Sequence, residues 1–477
     1  MNTQPNIERI SKNDIAALFG KQKANAPAVG RTSYAERKKK LARMLDYLSD
    51  HEAEIRQATY ADLRKPANEV MLSEIIVLTT ELRYHIRHLR RWMKPHSAPG
   101  TLVTFGTESC IRYEPKGTAL IISPWNYPVS LAIKPLISAV SAGCTAIIKP
   151  SEFTPNSNAF LKNFVSNLFN PEEVAVLEGD KEVASDLLEL PFDHIFFTGS
   201  PAVGKVVMRA ASAHLTSVSL ELGGKSPAVV DETADVVAAA KKIVWSKFLN
   251  NGQTCIAPDY VLAHRKITDR LLSEILKAIQ AFYNPAGAGI HRSPDYARIV
   301  NTRHFQRLKT LQEDALQNGA ELYCGGYCDE NDLFFEPTVL TGIKPEMALM
   351  HEEIFGPLLP VISYDSSEEA LARINAGPKP LALYLYSRNE DNITLFISRT
   401  SSGNALVNEA LVQFQHPEVP FGGIQNSGLG KANGFFGFQE FSHPKGIIRR
   451  RFGTISFLYP PFSATTTKVL AVIRKYF

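Results

Sequence analysis

His194-Ile-Phe-Phe-Thr-Gly-Ser-Pro-Ala-Val-Gly204 is a short apolar run that leads through a glycine turn into a helical segment. Similar apolar runs occur at 119–122, 146–148, 173–177 and 217–221. They alternate with helical segments near 129–142, 156–169 and 202–213. This alternation is typical of βαβ units whose parallel sheet is buried on both faces. The region therefore predicts an α/β domain with a Rossmann-like arrangement.

A second series of apolar runs follows at 228–230, 260–263, 337–340 and 381–386, with helical segments near 233–249 and 267–282. It predicts a second α/β domain. Ahead of both series, residues 34–94 carry apolar side chains at helical spacing and predict a helical region. The basic run Arg37-Lys-Lys-Lys40 within this region is interpreted as a solvent-facing side of the helix.

Composition restricts the classes of function. The chain has 477 residues, 44% of them hydrophobic, and a formal net charge of +4, which indicates an ordinary soluble protein with no nucleic-acid partner. Its five cysteines are an odd number, which favours reduced thiols over a disulfide framework. Cys324 and Cys328 have no nearby histidine or further cysteine, so we expect no metal site. The N-terminus lacks the pattern of a secretory signal, and we expect a cytoplasmic protein.

Cys255 lies in the segment Asn250-Asn-Gly-Gln-Thr-Cys-Ile-Ala-Pro258, where turn-forming residues place a thiol on a loop. Upstream, Glu221 begins the segment Glu-Leu-Gly-Gly-Lys-Ser-Pro227 and offers a carboxylate base. Together they suggest a cysteine nucleophile served by a glutamate. Asn126, in Pro124-Trp-Asn-Tyr-Pro128, is a neutral donor suited to stabilising an oxyanion, although an asparagine in a turn more often only caps that turn.

Two further segments are candidates for a nucleotide site. Gly199 and Gly204 follow a strand and open a helix, but their Gly-x4-Gly spacing also fits an ordinary strand-to-helix turn. Lys149 and Glu152 follow another strand, where they are placed either to hold the hydroxyls of a ribose or to point into solvent as a surface turn.

Seven segments, in this order, make the chain resemble the aldehyde dehydrogenase superfamily over nearly its whole length: Pro-Trp-Asn, Lys-Pro-Ser-Glu, Phe-Thr-Gly-Ser, Glu-Leu-Gly-Gly-Lys-Ser-Pro, Gly-Gln-Thr-Cys, Glu352-Glu-Ile-Phe-Gly-Pro357 and Pro420-Phe-Gly-Gly-Ile-Gln-Asn-Ser-Gly428. Trp-Asn-Tyr-Pro, Thr-Cys-Ile-Ala-Pro-Asp-Tyr and the late Leu458-Tyr-Pro-Pro461 resemble the class 3 branch, which includes fatty and aromatic aldehyde dehydrogenases.

The resemblance implies a catalytic set and a cofactor. Cys255 would add to the aldehyde, and Asn126 would hold the oxyanion of the thiohemiacetal. Loss of a hydride would leave a thioester, which Glu221 would hydrolyse by activating water. The implied cofactor is NAD, with NADP as an alternative. The cofactor-binding residues carried over are Lys149, Glu152, Thr198, Gly199, Ser200, Gly204, Leu222, Gly223, Glu353 and Phe355.

The resemblance also implies an architecture and a substrate tunnel. A cofactor domain is expected at 1–95 and 119–221, a catalytic domain at 222–408, and an oligomerisation arm at 96–118 and 409–445 that makes a homodimer. Residues 446–477 form a basic tail, which either packs on a neighbouring subunit or makes weak peripheral contact with a membrane. Tyr127 and Trp245 are the candidate lining residues of the tunnel, and His416 is expected near its mouth. A medium- or long-chain aliphatic or aromatic aldehyde is the expected substrate.

Three alternatives remain. A CoA-acylating or phosphorylating relative would intercept the thioester, but Glu221 supplies a base for water instead. A cysteine hydrolase without redox chemistry would normally need a histidine, and none occurs in the Cys255 segment. A non-catalytic protein that keeps the fold would not need Cys255, Glu221 and Asn126 together.

Overall fold

The structure is a computed structural model that describes residues 10–101, 104–456 and 459–476. Residues 1–9, 102, 103, 457, 458 and 477, which belong to the predicted cofactor domain, arm and tail, lie outside the described residues; Leu458 of the late motif is one of them. The helices are α1 (Lys12–Gly30), α2 (Tyr34–Asp50), α3 (Glu52–Leu63), α4 (Ala67–Val70), α5 (Ile76–Trp92), α6 (Ser130–Ala142), α7 (Pro155–Leu168), α8 (Lys181–Leu188), α9 (Pro201–Ser212), α10 (Val236–Phe248), α11 (Thr268–Tyr283), α12 (Thr302–Gln317), α13 (Ser367–Ala376), α14 (Glu390–Arg399), α15 (Gly434–Glu440) and α16 (Ala464–Tyr476).

The strands are β1 (His96–Ala98), β2 (Thr107–Pro115), β3 (Thr118–Ile122), β4 (Thr145–Lys149), β5 (Val174–Val176), β6 (His194–Gly199), β7 (Ser217–Leu222), β8 (Pro227–Val230), β9 (Tyr260–His264), β10 (Glu321–Cys324), β11 (Cys328–Asp329), β12 (Phe334–Phe335), β13 (Thr338–Thr341), β14 (Leu358–Tyr364), β15 (Ala382–Tyr386), β16 (Asn404–Val407), β17 (Gly428–Leu429) and β18 (Ser442–Arg450).

The first sheet has the order β17-β7-β6-β3-β4-β5, and all its neighbouring pairs are parallel except β17 with β7. Successive residues of β3 point to opposite faces, as the pleat requires. Ala119 and Ile121 pack against helices α2, α5, α6 and α7, while Leu120 packs on the side of α1, α8 and α9. The five strands predicted between 117 and 230 are confirmed, as is the α/β fold class.

The second sheet has the order β10-β13-β14-β9-β8-β15-β16 and is parallel except at its β10 edge. Helices α10 and α11 cover one face, and α13 and α14 cover the other. The four strand predictions from 228 to 386 are confirmed. The carboxyl ends of β7 in the first sheet and the loop between α10 and β9 in the second meet at the site described below.

The helical region predicted at 34–94 is not continuous. Arg64 adopts a left-handed backbone (φ 54°), and Pro66 cannot continue the preceding helix, so the chain breaks there before α4 and a π-helical turn at Met71–Ile75. The solvent-facing interpretation of the basic run is wrong for Arg37, which is buried and donates to the backbone oxygens of Gly30, Ser141 and Ala142.

A third sheet, in the order β1-β2-β18, projects from the first. Strand β18 pairs with β2 from Ser442 to Arg450, so the expected boundary between arm and tail at residue 445 falls inside one strand. Much of the expected arm segment 409–445 does not join this sheet, because β17 pairs with β7 instead. Within the described ranges, no helix combines the length and apolarity needed to cross a bilayer.

Candidate active site

The loop that carries Cys255 begins with three consecutive residues in the left-handed region: Asn250 (φ 52°), Asn251 (φ 54°) and Gly252 (φ 76°). Asparagine and glycine tolerate this conformation best. At Gly252 a Cβ atom would lie 2.3 Å from the Gly356 oxygen, so only glycine fits. The turn reverses the chain after α10 and brings Cys255 out between the two sheets.

Side-chain amides hold this loop to both halves of the molecule. Asn250 Nδ2 donates to the Asn126 oxygen at 2.8 Å, and Asn251 Nδ2 donates to the Ala297 oxygen at 2.9 Å. Gln253 Nε2 donates to the Arg298 oxygen at 2.9 Å. Since these bonds are buried, they offset the backbone strain of the turn and fix the position of the thiol.

Cys255 is half-buried, and the loss of water around it is the main cause that raises the pKa of its thiol well above the ordinary value. The nearby carboxylates of Glu353 and Glu221 raise that pKa further, because negative charge opposes a thiolate. The resting thiol is therefore protonated, and attack on a carbonyl requires that its proton leave first.

Glu221 is the penultimate residue of strand β7, and its carboxylate is buried. Neither carboxylate oxygen has a hydrogen-bond partner among the described residues. Burial raises the pKa of Glu221 well above the ordinary value, and the opposing pull of Lys431 and Lys134 is smaller. A cavity of about 40 Å³ is lined by Glu221, Cys255 and Thr198, which is room for a water molecule. The carboxylate is thus placed to accept a proton from a water beside the thiol.

Asn126 is buried on the turn between β3 and α6. Its Nδ2 atom donates to the Gln253 oxygen at 2.9 Å, which ties it to the nucleophile loop. The amide has two N–H groups, so one can serve this oxygen while the other serves a ligand. Asn126, Glu221 and Cys255 all line one cavity of about 500 Å³.

Six of the ten expected cofactor residues line the same 500 Å³ cavity: Thr198, Gly199, Ser200, Gly223, Glu353 and Phe355. Ser200 caps helix α9, accepting from the Val203 N–H, and leaves the positive end of that helix facing the cavity. A Cβ atom on Gly199 would lie 2.5 Å from the buried Phe197 ring, so a larger residue at this position would displace that ring.

The other four do not line this cavity. Lys149 is the last residue of β4 and pairs at 3.3 Å with Glu152, three residues further along the chain. Gly204 lies against Leu222, where a Cβ atom would approach the leucine Cδ2 atom to 2.7 Å. Gly204 and Leu222 pack closely between α9 and β7, and their expected part in cofactor binding stays a prediction.

Glu353 reaches the cavity beside a glycine pair. Burial raises the pKa of its carboxyl to about 8, aided by Asp259 and opposed by the Gly224 N–H. Phe355 has a left-handed backbone (φ 48°) and meets the Trp125 ring edge to face at 5.4 Å. A strained backbone next to a cavity wall indicates that surrounding contacts fix the position of Phe355.

A second cavity, of about 190 Å³, opens on the other side of Cys255. Tyr127 and Trp245 line it, together with Leu72, Ser73, Val77, Leu131, Leu249, Thr254, Ile256, Leu411, Val412, Phe414, Gln415 and Phe421. None of these described lining residues carries a charged side chain. His416 is absent from it, because the chain turns after Gln415 and the His416 oxygen accepts from Asn433 instead. Because Gln415 lines the cavity and His416 follows it in the chain, the expected place of His416 near the tunnel mouth stays a prediction.

Sequence reasoning missed two charged residues that join the motif segments. Lys225 pairs with the Asp259 carboxylate and donates to the backbone oxygens of Leu349 (2.7 Å) and Glu352 (3.0 Å). Asp259 in turn accepts from the Ile354 N–H at 2.9 Å. Both residues lie inside motif segments. The sequence signal that could have identified them is a charged residue next to glycine, proline and cysteine.

The chain is similar to known proteins over most of its length. Residues 2–447 match the model of the aldehyde dehydrogenase family. A 4,4'-diaponeurosporen-aldehyde dehydrogenase of Staphylococcus aureus is 42% identical over 86% of this chain and 88% of its own. Human aldehyde dehydrogenase family 3 member B1 is 39% identical, covering 93% of this chain and 94% of its own.

Solved structures agree with these relatives. The substrate-bound state of Staphylococcus aureus AldH has a TM-score of 0.92 at 40% identity, covering 96% of this chain and 99% of that one. PnpE in complex with nicotinamide adenine dinucleotide has a TM-score of 0.86 at 26% identity, covering 94% of this chain and 92% of that one.

Proposed function

The chain belongs to the aldehyde dehydrogenase family, and on that premise we propose that it oxidises an apolar aldehyde to the carboxylic acid through a covalent Cys255 intermediate. The observation that carries the proposal is that Cys255, Glu221 and Asn126 line a single cavity, with an apolar cavity on the other side of the thiol. A nucleophile, a base and an oxyanion donor thus meet where two different ligands can approach.

The cofactor is a nicotinamide dinucleotide, and the residues of the 500 Å³ cavity fit such a group. The capped N-terminus of α9 suits a pyrophosphate, and the Glu353 carboxylate suits a ribose. When bound, the cofactor accepts the hydride that leaves the substrate carbon. Glu152 supports a preference for NAD over NADP, because a carboxylate accepts from a ribose hydroxyl and repels a phosphate.

The first half of the reaction makes a carbon–sulfur bond. Cys255 gives its proton to solvent water that reaches the 500 Å³ cavity, and its sulfur attacks the aldehyde carbon to give a thiohemiacetal oxyanion. The Asn126 amide and the Cys255 backbone N–H donate to that oxygen, a type of stabilisation worth about 3 kcal/mol per donor. Departure of the hydride then oxidises the same carbon to a thioester.

The second half breaks that bond with water. The pKa of Glu221, raised by burial, makes it a stronger base than an exposed carboxylate, so it can take a proton from water in the 40 Å³ cavity. The resulting hydroxide adds to the thioester, the Cys255 thiolate leaves, and the acid is released. The base that this step requires argues against CoA or phosphate as the acceptor.

The substrate class follows from the lining of the second cavity. With no charged side chain among its described lining residues, that cavity favours an alkyl chain or an aromatic ring over a polar aldehyde. The relative named for 4,4'-diaponeurosporen-aldehyde supports a medium- or long-chain aliphatic or aromatic substrate.

Assembly and location belong to the same proposal. Strand β18 lies at the edge of its sheet with residues 443–450 exposed, an arrangement that suits pairing with a second copy in a homodimer. Residues 442–477 carry seven basic residues and no acidic one, which suits weak contact with an anionic membrane from the cytoplasmic side. Sedimentation with anionic vesicles at low salt tests that contact, and failure to bind removes it.

The test of function is reduced-nicotinamide formation with a panel of aliphatic and aromatic aldehydes, using NAD and NADP separately. Cys255→Ala should abolish turnover, while Glu221→Gln should release about one equivalent of reduced cofactor per site and then stall. Cys110→Ala, which removes a thiol on the remote strand β2, is the matched control and should retain activity. Turnover that survives Cys255→Ala would refute the proposal.

A further inference from the structure

A fully buried lysine lies directly beneath the active site. Lys65 occupies the break between α3 and α4, with its side chain fully inaccessible to solvent. The left-handed Arg64 and the nearby Pro66 end the helix there; Arg64 is exposed, whereas Lys65 and Pro66 are buried. A buried ammonium costs several kcal/mol unless it is paired, and its retention needs a reason.

The partners of Lys65 are parts of the site. Its Nζ atom donates to the Asn126 backbone oxygen at 2.8 Å and pairs with Glu74 Oε1 at 3.3 Å. It also lies 4.0 Å from the centroid of the Tyr127 ring, which lines the apolar cavity. One charged group therefore contacts the oxyanion donor and the wall of the expected substrate cavity.

Glu74 holds the other end of the same turn. Its Oε2 atom accepts from the Ser130 N–H at 2.6 Å, and it is fully buried as well. The Lys65–Glu74 pair thus holds both ends of the turn that runs from Asn126 to Ser130. The remaining contact of the Asn126 oxygen comes from Asn250, on the nucleophile loop.

We propose that Lys65, held by Glu74, is a positioning residue that sets the Asn126 amide at the distance required for the oxyanion beside Cys255. This rests on the proposed function of Asn126. Oxyanion donors act only when they lie about 2.7–3.1 Å from the developing charge, and misplacement by about 1 Å can cost a hundredfold in rate. A buried charge pair is one means of fixing a turn to that tolerance.

The test removes both charges of the Lys65–Glu74 pair together, and the buried Glu69 beside them is left in place. In Lys65→Met/Glu74→Gln the glutamine can still accept from the Ser130 N–H, but the Asn126 oxygen loses its lysine donor. We expect kcat to fall about tenfold or more, while KM for the cofactor stays within twofold. Lys65→Gln/Glu74→Gln is a second variant that keeps a polar pair yet is too short to reach Asn126, and it should show the same loss.

The readout that separates positioning from general stability is the Asn126→Ala background. If Lys65 acts through Asn126, adding the Lys65 and Glu74 substitutions to Asn126→Ala lowers kcat by less than twofold. An equal loss in both backgrounds, or unchanged kcat in the variant with Asn126 present, would overturn the proposal. Lys40→Met is the matched control, because Lys40 pairs with Glu173 away from the site.

Failure of the proposal differs from failure of the proposed function. If Asn126→Ala itself retains full kcat, the oxyanion role of Asn126 is wrong, and the Lys65 proposal falls with it. If Asn126→Ala is impaired while both Lys65 double variants have wild-type kcat, only the positioning role is refuted.

Discussion

Gly223→Ala should move Glu353 and thereby weaken cofactor binding without unfolding the protein. A Cβ atom at position 223 would lie 1.9 Å from Glu353 Oε2, 2.6 Å from Oε1 and 2.5 Å from the carboxyl carbon. Real contacts of this type do not fall below 3.0 Å, so the carboxylate must shift by about 1 Å or more. Because the displaced atoms are the far end of a flexible side chain, the loss of stability should be small.

The functional loss should be larger. Above pH 8, where the Glu353 carboxyl is ionised, hydrogen bonds to it contribute about 1.5–3 kcal/mol, so loss of its contacts to a ribose should lower kcat/KM for NAD by roughly tenfold to a hundredfold. The assay is initial-rate kinetics with varied NAD at saturating aldehyde, with thermal unfolding measured alongside.

Gly20→Ala is the control, since a Cβ atom at position 20 in α1 meets nothing within 4 Å. Glu353→Gln supplies the second comparison. If Glu353→Gln impairs use of NAD but Gly223→Ala leaves kcat/KM within twofold of wild type, the reasoning from this close approach is wrong. If Glu353→Gln has no effect either, the role of Glu353 in cofactor binding is refuted.

Three further perturbations test other parts of the site. Because the base must be deprotonated and burial raises the pKa of Glu221, kcat should climb with pH above the range of an ordinary carboxyl; a limb centred near pH 4.5 in a kcat–pH profile would contradict this. Trp245→Ala should lower kcat/KM for aromatic aldehydes roughly tenfold more than for propanal, from loss of about 1–2 kcal/mol of apolar contact, and equal losses in a substrate panel would argue against its tunnel role. Burial raises the pKa of Glu69 from 4.5 to about 7 beside Lys65 and Glu74, so the folded state binds its proton more tightly than the unfolded state. The free energy of unfolding should therefore fall by about 3 kcal/mol from pH 4.5 to 7. In urea unfolding, Glu69→Gln should make this pH dependence weaker, and an unchanged pH dependence would refute the role of Glu69.

Local patterns were sufficient for the two sheets. Strands buried on both faces are continuous apolar runs, and such runs can be recognised in the sequence without knowing which strands pair with them. The loop before Cys255 was predictable for a related reason, since Asn250 and Gly252 are residue types that favour a left-handed backbone. The proximity of Cys255, Glu221 and Asn126 required the resemblance, because nothing in their separate segments specifies that three loops meet.

Features that depend on tertiary contacts were not predictable. Burial of Lys65 follows from partners on other segments, while its own sequence resembles a helix end followed by proline. The side chains that residues 411–415 contribute to the apolar cavity were not predicted, because the backbone there, with a left-handed φ of 62° at Leu411, is set by the packing of its loop. Strand β18 extends past residue 445 because β2 continues beside it, which its own basic sequence does not indicate.

The left-handed turn before Cys255 also bears on how the protein matures. Its amides bond to Asn126 from the first sheet and to Ala297 and Arg298 from the second half of the chain. A strained turn of this kind persists only while its surroundings hold it. A newly made chain therefore presents its thiol correctly only after both halves have docked. We therefore expect partly folded forms to be inactive, because Cys255 is correctly positioned only when folding is complete.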